Sequence, residues 1–164
     1  MIRSVSRFFT LCAGCALMLG CATSLDIGKA TIDVTPQQAT HDSAVQGRLV
    51  AWGGVIVGTI NMADKTRLEV LAYPLDSHNR PQVDAKPIGR FLAFYPGFLE
   101  PVNFAAGRRV TAVGTIGGTQ PGTVGEAHYL YPTLEASRVH LWPTPEQEAS
   151  QPQFHFGVGI GITR

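Results

Sequence analysis

Runs in which apolar and polar residues alternate occupy most of the chain between residues 48 and 142. In residues 66–73, Leu68, Val70 and Ala72 fall on one face of an extended chain, whereas Arg67 and Glu69 share the other. The same texture, rich in β-branched and aromatic residues, predicts five strands, over residues 48–60, 66–73, 88–95, 109–116 and 129–142.

Turns rich in glycine and proline separate these strands. The pattern favours an all-β fold, a small antiparallel barrel of five to six strands similar to the OB fold, because closure removes exposed edges. An open sandwich is the alternative. The pair Gly53–Gly54 is expected to allow a bulge, residues 74–87 to form a long loop and residues 117–122 to end the fourth strand. Pro132 is expected to make the start of the fifth strand an edge.

The beginning of the chain has the layout of an export signal. Arg3 and Arg7 precede thirteen uncharged residues, Phe8 to Gly20, and Gly20 stands directly before Cys21. A basic segment, an apolar segment and a small residue at the cut are typical of a secretory signal peptide. A cysteine in the first mature position is typical of a bacterial lipoprotein. We therefore predict cleavage before Cys21 and acylation of its thiol and its new amine.

Two alternatives to this interpretation stay open. The apolar run is shorter than the about 20 residues that a spanning helix needs, but an uncleaved N-terminal anchor is the first alternative. The second is cleavage before Cys15, which would leave only seven uncharged residues after Arg7. Ala22 stands where an aspartate tends to retain lipoproteins at the inner membrane. The expected location is therefore the outer membrane, with the periplasmic side favoured over the cell surface.

Composition shifts divide the chain into five segments. Residues 1–20 form the signal peptide, 21–46 a lipidated, flexible tether with a lead-in strand at 30–34, 47–142 the barrel, 143–153 a linker and 154–164 a separate strand. In residues 154–162 large apolar side chains alternate with a histidine and three glycines. Such a strand either docks on its own barrel or pairs with other copies or the bilayer, so a homo-oligomer or an envelope protein partner is possible.

Charge and residue content exclude several functions. Of the 13 Lys and Arg residues two lie in the signal, leaving 11 against 12 Asp and Glu, a net charge of −1 that predicts no nucleic-acid partner. The mature chain has no Gly-x-Ser-x-Gly motif and no cysteine besides Cys21, so we expect neither an enzyme nor a cofactor. His128 and His140 could meet across a hairpin, but surface positions without a metal are favoured.

Aromatic residues offer a possible ligand face, as in other OB barrels. Core filling is the alternative for each of them. The candidates are Trp52, Phe91, Phe94, Tyr95 and Tyr129, with Phe98 beside them.

Several segments, taken in order, resemble one family of proteins. They are residues 50–56 (VAWGGVI), 68–70 (LEV), 74–76 (PLD), 89–93 (GRFLA), 97–101 (GFLEP), 110–116 (VTAVGTI), 120–122 (QPG) and 141–142 (LW). Together with the lipidated cysteine, they are similar to the Slp-type outer-membrane lipoproteins. This resemblance implies an outer-membrane location and a link to starvation or stationary-phase growth. It supplies no catalytic motif and carries over only Cys21 as a functional residue.

The leading hypothesis is a non-enzymatic lipoprotein, held in the outer membrane by acylated Cys21, whose periplasmic β domain acts in envelope maintenance or stress. The alternative is a binding module for a small molecule or an envelope polymer. The glycine-rich C-terminus is not part of the pattern that carries the resemblance, which leaves its role open.

Overall fold

The computed structural model describes residues 24–150. It contains two short helices, a 3₁₀ turn at Ser43–Val45 and five strands. The helices are α1 (Pro36–His41) and α2 (Pro145–Ala149), and the strands are β1 (Leu49–Asn61), β2 (Lys65–Tyr73), β3 (Arg90–Pro96), β4 (Arg109–Val124) and β5 (Ala127–Leu141). The predictions for the signal peptide, for Cys21 and for the strand at 154–164 lie outside the described residues.

The strands close into a barrel in the order β1-β2-β3-β5-β4, with β4 paired again to β1. The all-β barrel predicted from the alternation is confirmed. One pairing differs from the expected antiparallel arrangement, since β3 and β5 run parallel. The reason is the long connection over residues 97–108, which carries the chain from β3 to β1, so that β4 enters beside β1 and its hairpin partner β5 closes against β3.

The β4–β5 hairpin is longer than the sequence predicted. The expected end of the fourth strand at residues 117–122 is wrong, because β4 continues to Val124 and the chain turns at Gly125, which has a φ of 58°. A register shift between Ile116 and Gly118 bends the strand instead of ending it. Residues 127–132 pair only with β4, which confirms the edge predicted from Pro132.

The bulge expected at Gly53–Gly54 lies further along β1, between Ile56 and Gly58. Gly54 serves a different purpose, close approach of two strands. A Cβ placed on it would lie 2.0 Å from the carbonyl oxygen of Leu71 on β2. Only a residue without a side chain fits there.

The barrel interior is filled by side chains that alternate along the strands. Its fully buried members come from all five strands and include Ile56, Leu68, Val70, Phe91, Val110 and Leu134.

The segment before β1 packs onto the barrel. Thr31 forms a bridge to Val50, so the lead-in strand expected at residues 30–34 is reduced to a single pairing. Thr35 caps α1 in a capping box with Gln38, and Pro36 occupies the first turn, where its missing N–H needs no partner. The described part of the predicted tether therefore differs from a flexible chain, because residues including Val34, Ala39 and Val45 join the core.

Candidate functional site

The aromatic residues predicted as a ligand face separate into two groups. Trp52 and Phe91 are 3% and 0% exposed, and their rings pack edge to face with centroids 5.2 Å apart. The indole Nε1–H of Trp52 donates to the carbonyl oxygen of Val34, 2.6 Å away, which ties the N-terminal segment to the barrel. The candidate face is corrected accordingly, since these two rings fill the core and cannot contact a ligand from solvent.

Tyr95 and Phe98 do not belong to the outer surface of the sheet either. Tyr95 lies opposite Thr66 and is half-buried against the core. Phe98 follows β3 in the connection to β4 and is 66% exposed. Phe94 and Tyr129 are therefore the two predicted residues that lie on the outer face of β2, β3 and β5, which we call the outer face.

Phe94 lies at the centre of a row of charged side chains on this face. Arg67 of β2 and Glu135 of β5 are its cross-strand neighbours. The ammonium of Lys65 lies 4.9 Å from the centroid of the Phe94 ring, within the range of a cation–π contact. A shallow depression of about 320 Å³ opens here, and Lys65, Phe94, Pro96, Glu135 and Ser137 contribute to its lining. Phe94 thus lies at the edge of this depression between side chains of both charges, with the Lys65 ammonium over its ring.

A second cluster on the outer face joins the β4–β5 hairpin to β2 and β3. Arg90 and Glu69 form an ion pair of 2.6 Å, and both side chains are partly exposed. The Tyr131 hydroxyl lies 3.1 Å from Glu69 Oε1 and 2.9 Å from the carbonyl oxygen of Thr123, so its single proton can serve one acceptor at a time. Burial, and then the hydrogen bond to the Glu69 carboxylate, raise the pKa of Tyr131 above its ordinary value.

Tyr129 completes this cluster. Its hydroxyl oxygen accepts a hydrogen bond of 3.0 Å from the backbone N–H of Arg90. Its ring packs edge to face on Tyr131, with 4.7 Å between centroids. Tyr129 therefore holds the β4–β5 hairpin against β3, and its ring remains partly exposed.

The histidines do not meet. His128 and His140 lie twelve residues apart on the single strand β5 rather than on two strands of a hairpin. His140 packs edge to face on Trp142, with 4.5 Å between ring centroids, and burial, with a smaller effect of Arg138, lowers its pKa. Across residues 24–150, no group of three or more His, Cys, Asp or Glu side chains could hold a metal ion. Within that same range, every helix is too short or too polar to cross a membrane.

Comparison with known proteins agrees with the family resemblance seen in the sequence segments between residues 50 and 142. A model of the outer membrane lipoprotein Slp family matches residues 13–159. The match continues past Trp142, so the family pattern includes part of the glycine-rich C-terminus that the sequence segments had left out.

Individual relatives agree over most of their length. The chain is 38% identical over 144 residues to the Escherichia coli "Uncharacterized lipoprotein YeaY", an alignment that spans 84% of this chain and 74% of the relative. It is 31% identical over 142 residues to the E. coli "Outer membrane protein Slp", across 87% and 73% of the two chains. An "Uncharacterized protein" of Haemophilus influenzae is 31% identical over 144 residues, across 87% and 78%.

None of these names states an enzymatic activity. Matches of this extent and identity, joined to the order of strands and segments described above, settle the relationship. The chain belongs to the outer membrane lipoprotein Slp family.

Proposed function

We propose that the mature protein is held in the outer membrane by acylated Cys21, faces the periplasm and acts without catalysis in envelope maintenance or the starvation response. Family membership supports the membrane and the lipoprotein class. The proposed lipid anchor rests on one observation, the order along the chain of Arg3 and Arg7, thirteen uncharged residues that end at Gly20, and then Cys21. Ala22 supports sorting to the outer membrane.

Metabolic labelling with radioactive palmitate tests the anchor. The wild-type protein incorporates label and sediments with membranes, whereas Cys21→Ala loses the label and appears in the soluble fraction. Cys15→Ala is the matched control, because it removes the rival cysteine and leaves labelling unchanged. Labelling that persists in Cys21→Ala, or that is lost in Cys15→Ala, would refute cleavage before Cys21.

Protease treatment tests the side of the membrane. A periplasmic barrel is resistant in intact cells and is digested once the outer membrane is permeabilised. For the physiological role, a strain without the protein is followed through prolonged starvation together with strains that express the wild type or Cys21→Ala. We expect loss of viability or leakage of periplasmic enzymes, restored by the wild type alone. Survival and permeability equal to those of the parent strain would contradict the role.

A second candidate function is capture of an envelope polymer or small molecule on the outer face. It is favoured by Phe94, because a partly exposed ring next to the Lys65 ammonium and a shallow depression offers a stacking surface with charges around it. The filled core leaves the outside of the barrel as the place for a ligand. Tyr129 lies on the same face.

Cosedimentation with purified peptidoglycan tests this candidate. We expect Phe94→Ala to weaken binding several-fold, and Phe98→Ala to leave it unchanged, since Phe98 is a phenylalanine of higher exposure away from the outer face. Equal binding by wild type and Phe94→Ala would refute a role of the ring in polymer capture.

Self-assembly through residues 154–164 is a third, separate proposal. It is supported by the sequence alternation alone, in which five large apolar residues share one face. Truncation before Phe154, followed by light scattering in detergent, tests it. A monomer of unchanged size before and after truncation would rule out assembly through this segment.

A further inference from the structure

The point at which the described chain begins is fixed on one wall of the barrel. The backbone N–H of Leu25 donates to the carbonyl oxygen of His78 at 3.1 Å, and the side-chain amide of Asn79 donates to the carbonyl oxygen of Leu25 at 2.8 Å. The guanidinium of Arg138, on β5, donates to the carbonyl oxygen of Asp26. Two hydrogen bonds therefore hold Leu25 and a third holds Asp26.

The same contacts locate this wall. The carbonyl oxygen of Asn79 accepts a hydrogen bond of 2.8 Å from the hydroxyl of Thr111, which lies on β4. Arg138 lies opposite Val113 of β4, whose outward side chain is only 5% exposed. His78 and Asn79 belong to the connection between β2 and β3, so this connection folds over the outside of β4. The N-terminal segment lies on that connection and against Arg138 of β5, on the side of the ring away from β2.

The distance from this wall to Cys21 is short. Four Cα–Cα steps separate Cys21 from Leu25, and a fully extended chain spans at most about 3.6 Å per residue, or about 14 Å in all. A domain of about 100 residues has a radius of gyration of about 13 Å. The segment from Cys21 to Leu25 is therefore shorter than the diameter of the domain. The barrel cannot rotate far enough to turn the wall that holds Leu25 away from the membrane.

We propose that one wall of the barrel lies against the phospholipid surface, and that β2 and β3 face away from it. This wall is formed by residues 109–116 of β4, by the connection between β2 and β3 that folds over them, and by the N-terminal segment from Leu25 onward. The expected flexible tether over residues 21–46 would have allowed any orientation. Packing of the described part of this segment, from Leu25 onward, removes most of this freedom. Leu49, which is 40% exposed and lies opposite Thr115 of β4, supplies apolar surface beside the same wall.

One consequence concerns the candidate ligand face. Phe94 and Lys65 lie on β3 and β2, across the ring from β4. With β4 toward the lipid, the depression around Phe94 opens toward the periplasmic space. This orientation rests on the proposed acylation of Cys21.

Single cysteines test the orientation, because the mature chain has no other free thiol once Cys21 is acylated. Ser77→Cys and Lys29→Cys place a label at exposed positions on the wall proposed to face the lipid, and Arg67→Cys places one on β2. The full lipidated proteins are reconstituted in phospholipid vesicles that carry a nitroxide on the headgroup. We expect quenching of a fluorophore at Ser77→Cys and Lys29→Cys to be several-fold stronger than at Arg67→Cys.

A longer segment between Cys21 and Leu25 is the control. Insertion of about 30 Gly and Ser residues before Ser24 gives a mean span of about 30 Å, enough to release the barrel. The difference in quenching should then disappear, although palmitate is still incorporated.

Palmitate labelling of each sample separates two kinds of failure. Equal quenching at all three positions in labelled protein of native length would overturn the orientation alone. Absence of palmitate would overturn the anchor, and the orientation with it.

Discussion

Replacement of Gly54 by alanine tests how closely β1 and β2 approach each other. The new Cβ would lie 2.0 Å from the carbonyl oxygen of Leu71 and 2.7 Å from its carbonyl carbon. An ordinary carbon–oxygen contact between strands is about 3.3 Å, so the strands must separate by roughly 1.3 Å. Ladder hydrogen bonds on both sides of the site then lengthen beyond useful range.

The cost of Gly54→Ala follows from these terms. Overpacking costs about 1–3 kcal/mol, and each weakened hydrogen bond adds about 0.5–1.5 kcal/mol. We expect a loss of about 3–4 kcal/mol, a large part of the about 5–15 kcal/mol that stabilises a domain. Gly58→Ala on the same strand is the matched control, since nothing lies within 4 Å of a Cβ there. It should change stability by less than about 0.5 kcal/mol.

Urea unfolding followed by tryptophan fluorescence measures both variants. With a slope near 2 kcal/mol per molar urea, the midpoint of Gly54→Ala should fall by about 1.5–2 M. The midpoint of Gly58→Ala should stay close to that of the wild type. Equal midpoints for the two variants would show that β1 and β2 do not approach each other this closely at Gly54.

Three further predictions concern polar side chains that are buried or partly buried. Trp52→Phe leaves the carbonyl oxygen of Val34 without its donor and should cost about 1–3 kcal/mol in urea unfolding, whereas Leu130→Ala, at an exposed position, should cost little. Because the pKa of Tyr131 is raised, its contribution to stability is present below a pH of about 10 and is lost as the pH rises through the raised pKa. Tyr131→Phe should remove this loss of stability at alkaline pH. An unchanged dependence of the urea midpoint on pH would contradict the burial of Tyr131. Because the pKa of His140 is lowered, its contribution to stability is present above a pH of about 6.5 and is lost as the pH falls through the lowered pKa. His140→Gln should therefore make the urea midpoint fall less steeply at acidic pH. A fall as steep as in the wild type would contradict this contribution of His140.

The strands could be predicted because buried and exposed side chains alternate along them. The buried residues of β2 stand at alternate positions, and the predicted bounds of β1, β2 and β3 agree with the structure to within two residues. The same period places Phe91 and Tyr95 on one face of β3 and Phe94 on the other. It does not say which face points inward, since both carry aromatic rings.

The remaining differences between the predicted and the observed elements come from residue types that occur in more than one kind of element. Pro36 interrupts a strand but also begins a helix, and the sequence of Thr35 followed by Gln38 was the available signal for α1. Gly117 and Gly118 suggest a turn, yet they form a bulge within β4. The parallel pairing of β3 and β5 depends on the path of residues 97–108, which carries no local pattern.

The anchor and the orientation of the barrel both depend on attachment of lipid at Cys21, which mass spectrometry of the mature amino-terminal peptide can detect. We expect a peptide that begins at Cys21 and carries a diacylglyceryl group on sulfur and a third acyl chain on nitrogen. A peptide that begins at another residue, or a Cys21 without acyl groups, would contradict it.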